Sequence, residues 1–92
     1  MFYVKYHKEN VIAICDEELI GKHFEEGRLV LDVSESFYKG ELKNKDEIRL
    51  ILKNDKNFNL VGKEIIKIAV KEKVVDKNAI LVIGGVLHAQ VY

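Results

Sequence analysis

Apolar and polar side chains alternate along Phe2–Tyr6 as in a half-buried strand, and His7-Lys8-Glu9-Asn10 follows as a polar turn. Val11-Ile12-Ala13-Ile14-Cys15 is apolar on both faces, the pattern of an interior strand. Together the two segments predict an N-terminal hairpin. Asp16–Glu26 is mixed. Leu19, Ile20 and Phe24 have helical spacing, but Gly21 interrupts and Gly27 closes the segment, which predicts one short helical turn and then a loop. Arg28–Val33 alternates again, with Leu29, Leu31 and Val33 on one face, and reads as a middle strand. Ser34–Gly40 reads as a connection.

The period then becomes helical. Asn44-Lys45-Asp46-Glu47 fits a capping box, in which Asn44 accepts from the amide of Glu47 and Glu47 reaches back. Ile48, Ile51 and Leu52 form the stripe of this helix, and Asn54-Asp55 ends it. Asn59 is expected to cap a longer helix, Leu60–Lys73. At about 100° per residue its apolar side chains span an arc of about 200°, with Lys63, Lys67 and Lys71 in the remainder. So wide an arc calls for cover on two sides, by the sheet and by either the shorter helix or a second subunit, the latter a homodimer through the long helix. Ala79–Ile83 and Val86–Tyr92, joined by Gly84-Gly85, predict a C-terminal hairpin. The expected fold is α+β in a single domain, residues 1–92: a mainly antiparallel sheet from the N- and C-terminal hairpins plus the middle strand, with two helices packed on one face.

Composition narrows the chemistry. The 92 residues carry fifteen basic and fifteen acidic side chains and are 48% apolar, as in a globular domain with a core of its own. No apolar run approaches the roughly 20 residues that cross a bilayer, and no basic segment leads into an apolar one, so a cytoplasmic chain without membrane contact is expected. Cys15 is the only cysteine, which excludes an intrachain disulfide. Proline, threonine and tryptophan are absent, while Lys, Glu, Ile and Val abound. The Lys/Glu enrichment points to a thermophile, although the lack of loop proline runs the other way.

Catalytic patterns fail one after another. Ser34 and Ser36 are the only hydroxyl nucleophiles of their kind, and neither sits in a nucleophile elbow. Asn57-Phe58-Asn59-Leu60-Val61-Gly62-Lys63-Glu64 is superficially like a phosphate loop, but Asn57 replaces the first glycine and Glu64 the magnesium-binding hydroxyl. His7, His23 and His88 have no metal-binding spacing, and the acidic neighbours of Cys15 disfavour a thiolate. No cofactor or metal is expected.

Binding is the better expectation. Residues 1–38 hold four basic and eight acidic side chains, residues 39–92 eleven basic and seven acidic, so the halves carry −4 and +4. Lysines position phosphates by charge, yet only Arg28 and Arg49 supply the forked donor common in nucleic-acid recognition, and no DNA-specific motif occurs. Adjacent aromatics in Ser34-Glu35-Ser36-Phe37-Tyr38-Lys39-Gly40 read either as two local core plugs or as one ring plugging the sheet end and the other open to a partner. His88 and Gln90 share a strand face beside Gly84-Gly85, which reads either as a solvent-facing sheet edge or as the alternative site, with Glu35, Asp16 or Lys22 completing a small-ligand pocket.

Taken together, Cys15-Asp16-Glu17-Glu18-Leu19-Ile20-Gly21-Lys22, the Glu26-Gly27 turn, Ser34–Tyr38, Asn59-Leu60-Val61-Gly62 and Ile83-Gly84-Gly85-Val86-Leu87-His88-Ala89-Gln90 resemble a small archaeal family, domain-of-unknown-function family four hundred and twenty-four. Leu87 stands where that family is associated with proline. The resemblance implies an archaeal, cytoplasmic, stand-alone domain with an information-processing role such as translation. It brings no established activity, so no catalytic residue carries over. The leading expectation is a non-catalytic binding module contacting a protein or RNA partner through Phe37, Tyr38, Lys39, Lys63, Lys67 and Lys71. The alternative is a small enzyme or ligand-binding protein with a pocket at Glu35, Gly84, Gly85, His88 and Gln90.

Overall fold

The computed structural model describes residues 1–92. The order of elements is β1 (Phe2–Tyr6), β2 (Ile12–Asp16), a 3-10 turn (Glu17–Leu19), β3 (His23–Glu26), β4 (Leu29–Asp32), α1 (Glu35–Tyr38) and β5 (Glu41–Lys43). Then come α2 (Lys45–Asn54), β6 (Phe58–Val61), α3 (Lys63–Lys71), a second 3-10 turn (Lys77–Ala79), β7 (Leu81–Ile83) and β8 (Val86–Val91). Six strands make one sheet in the order β5-β1-β2-β6-β8-β7, and β3 and β4 make a separate ribbon. Within the large sheet only β2 and β6 run parallel; every other pair is antiparallel. The α+β class, the two terminal hairpins and the pair of helices on one face stand as expected.

Local chemistry explains the elements that matched. Asn44 Oδ1 accepts from the Glu47 amide and Glu47 Oε1 accepts from the Asn44 amide, each at 2.9 Å, so the capping box of α2 is complete. Gly84 and Gly85 have φ of 56° and 82°, the left-handed values that let a two-residue turn join β7 to β8.

Three expectations are corrected. The middle strand leaves the main sheet: β4 pairs with β3, Leu31 opposite Phe24, because Gly27 folds the chain back through a two-residue turn. Ser34–Gly40 is more than a connection, since Ser34 Oγ accepts from the Phe37 amide and starts the single turn of α1. Asn59 caps nothing. Phe58–Val61 is a fully buried strand between β2 and β8, and the helix begins only after Gly62.

The sheet separates two cores. On one face Val4, Ile12, Ile14, Phe58 and Leu60 meet Ile48 and Leu52 of α2 and Ile65, Ile66 and Ala69 of α3. On the other, Ala13, Cys15, Val61 and Ile83 meet Leu31 and Val33 from the ribbon and Tyr38 from α1. At about 1.5–3 kcal/mol per large side chain buried, both layers matter to stability. α2 supplies the second cover that the wide apolar arc of α3 called for. No helix is long and apolar enough to cross a membrane.

Candidate functional site

The aromatic segment turns inward. Tyr38 is 3% exposed, and its hydroxyl donates to Asn59 Oδ1 at 2.6 Å, satisfying a buried amide at the centre of the sheet. Burial and nearby acidic groups push the Tyr38 phenol well above the usual range, so it stays neutral. Phe37, half-buried, stacks on His7 with ring centroids 4.3 Å apart, while His7 Nε2 lies 2.9 Å from the Phe37 carbonyl oxygen. Lys39 pairs with Glu35 at 3.6 Å. Tyr38 is therefore corrected from a partner contact to a core residue, because its hydroxyl has the one buried partner that makes burying a tyrosine favourable.

The alternative pocket does not form. β8 lies inside the sheet, not at its edge, and His88 is 7% exposed with Nδ1 2.9 Å from the Leu60 carbonyl oxygen. The Gly84 amide donates to Glu26 Oε1 at 2.9 Å, which docks the glycine turn on the ribbon. Glu35 stays with Lys39 on α1, and Gln90 is exposed. No cavity in the structure is lined by Glu35, Gly84, Gly85, His88 or Gln90. One ring nitrogen of His88 is thus held by backbone, and no cavity brings Glu35, Asp16 or Lys22 together with it as the alternative required.

Asp16 does what a bound anion does elsewhere. Its two carboxylate oxygens accept from the amides of Glu64 and Ile65 at 2.9 Å each, across 48 residues of sequence, and so cap the start of α3. Gly62 makes this possible. Its φ of 124° suits glycine alone, and a Cβ there would fall inside the Asp16 carboxylate. The strand–glycine–helix segment that is superficially like a phosphate loop thus has its anion slot filled by the chain's own side chain. Burial pushes the Asp16 carboxyl above its ordinary value, against the pull of the two amides, with Glu18 and Glu64 reinforcing the rise. Cys15 beside it is fully buried, and burial followed by the Asp16 and Glu18 charges pushes its thiol up to about 12, far from a reactive thiolate. No three His, Cys, Asp or Glu side chains converge as a metal site would need.

The lysine stripe is one of the places where basic groups stay without an ion pair. Lys63, Lys67 and Lys71 are exposed on α3, and none makes an ion pair. On the α2 side Glu72 lies 3.9 Å from Arg49 and 4.0 Å from Lys53. On the other side, α3 packs over β2, β6 and β8, and beyond it opens a groove of about 580 Å³. Ile66, Val70, Ile80, Val82 and Leu87 floor this groove, and Lys63, Lys67 and Lys77 rim it. Lys77, also unpaired, escaped the sequence reading because it comes from the 3-10 turn after α3, with no periodicity linking it to the stripe. Phe37 and Lys39 lie across the sheet from these lysines, so the single surface expected from the two sets is divided by the sheet.

A crystal structure of an uncharacterized conserved protein from Methanopyrus kandleri is similar, with a TM-score of 0.73 and 26% identity over 97% of this chain and 88% of that one. No protein among those with curated descriptions matches. A family model described as "Protein of unknown function (DUF424)" matches residues 4–92, nearly the whole chain, and the chain belongs to that family.

Proposed function

We propose that this protein is a non-catalytic binding module that contacts a protein or RNA partner through the lysine-bearing face of α3. One observation carries the reading: Lys63, Lys67 and Lys77 are unpaired around an uncovered apolar groove, with Lys71 unpaired further along α3, whereas the thiol, the buried carboxyl and the buried imidazole are each engaged internally. A helix whose other side is locked into the core presents its ammonium groups from a rigid base, which reduces the ordering cost of association. Lysines in such an array attract carboxylates or phosphates at long range and raise the encounter rate.

The test is retention of native-cell components on the immobilised protein, with and without nuclease, for wild type and for Lys63→Glu/Lys67→Glu/Lys71→Glu. Far-UV circular dichroism checks that the exposed substitutions leave the fold intact. Loss of retained material in the variant supports the reading, with nuclease sensitivity marking an RNA partner. Equal retention by both proteins refutes it.

A further inference from the structure

The groove beside α3 has a composition that selects among partners. Its floor is aliphatic throughout, with no aromatic ring on which a base could stack, and its rim offers ammonium groups but no guanidinium fork. Val82 on the outermost strand is 48% exposed, and Leu87 opposite it is only partly covered, so apolar area faces water here at the margin of the sheet. Such area is relieved by aliphatic side chains, not by a sugar–phosphate backbone. No acidic side chain lines the groove, so the three lysines at its rim are uncompensated on this side. From this charge complementarity we infer that the groove docks an amphipathic segment of a partner protein whose apolar side chains are flanked by carboxylates. The inference rests on the proposed binding role and names the partner's chemistry.

In this arrangement the apolar side chains of the segment cover Ile66, Val82 and Leu87, while its carboxylates reach Lys63 and Lys67 on one bank and Lys77 on the other. The lysines set the sign of the partner's charge, and the floor sets its amphipathic spacing.

The probes are two synthetic eighteen-residue peptides with leucine at positions i, i+3, i+4 and i+7, one with glutamate and the other with lysine at the remaining positions, and a twelve-nucleotide oligouridylate. Each is titrated into uniformly ¹⁵N-labelled protein. The acidic peptide is expected to shift the amides of residues 63–70, 77–82 and 87, and the basic peptide and the RNA to leave them unmoved. Lys63→Glu/Lys67→Glu/Lys77→Glu should weaken the acidic peptide at least about tenfold and bind the basic one instead, three pairs each contributing modestly. Absence of acidic-peptide binding, equal binding of both peptides, shifts outside the groove, or RNA shifting these amides in place of the peptide would each overturn the inference. If cellular retention still depends on the lysines while the acidic peptide fails, the partner chemistry is wrong and the binding role stands. If retention does not depend on them, the binding role itself falls.

Discussion

Substituting Gly62 and Asp16 singly and together gives the sharpest test of how α3 is held. Asp16→Ala removes both acceptors at the buried start of the helix and leaves the amides of Glu64 and Ile65 unsatisfied, a loss of about 2–3 kcal/mol. Gly62→Ala carries two penalties. Backbone with φ of 124° and ψ of 152° is nearly exclusive to glycine and costs about 1–3 kcal/mol with a side chain. The new methyl also occupies the space of the Asp16 carboxylate, expels it, and forfeits the same 2–3 kcal/mol of capping that Asp16→Ala forfeits. The sum for Gly62→Ala is about 3–6 kcal/mol. The double variant loses the cap only once, so it should be about as stable as Gly62→Ala alone, some 2–3 kcal/mol better than additivity. Because the chain has no tryptophan, unfolding in urea is followed by circular dichroism at 222 nm, with trimethylamine N-oxide in all samples to keep the weakest variant folded. Effects that add to within about 0.5 kcal/mol would mean that the glycine and the carboxylate act independently and that the close approach described here is wrong.

Two further outcomes follow from the buried polar groups. Tyr38→Phe deletes the donor to Asn59 Oδ1 and strands that oxygen inside the sheet, so the midpoint of urea unfolding should fall by the equivalent of about 1–3 kcal/mol; an unchanged midpoint would show that the bond contributes nothing. Asp16 has a folded pKa above its unfolded value of 3.8, so the folded chain retains a proton that the unfolded chain has lost in the window just above that value. Its contribution to stability is therefore largest at low pH and declines as pH rises through the window; the stability difference between wild type and Asp16→Asn should shrink from about pH 4 upward, and a difference that grows instead contradicts the burial argument.

What was legible in the sequence is what depends on neighbours in sequence. The capping box of α2, the Gly84-Gly85 turn and the β1–β2 hairpin are each specified within a few residues, and each formed. β6 is the instructive failure. Phe58-Asn59-Leu60-Val61 runs into the apolar periodicity of α3 without a break, and Asn59 looks like its cap, whereas the true cap is Asp16 on another strand. Short apolar runs do not distinguish a buried strand from the start of a helix, and a cap 48 residues away leaves no local mark. β5, three residues at the sheet edge, has too little pattern to register. For the site, Lys63, Lys67 and Lys71 were legible because helical spacing alone brings them to one side. Lys77, Ile80, Val82 and Leu87 join them only through the way the chain returns to the sheet, and Phe37 and Tyr38, adjacent in sequence, differ because a single partner, Asn59, draws one ring under cover.

The parallel pairing of β2 with β6 bears on how the molecule assembles. Ile12 sits opposite Phe58, so the middle of the sheet closes only when segments more than forty residues apart meet, whereas the hairpins on either side close over a few residues. Closing that long loop forfeits chain entropy before any burial offsets it. Closure of this seam is thus expected to come late, since β6 meets its other neighbour β8 only across α3, and neither half of the polypeptide can complete its own hydrophobic layer without the other.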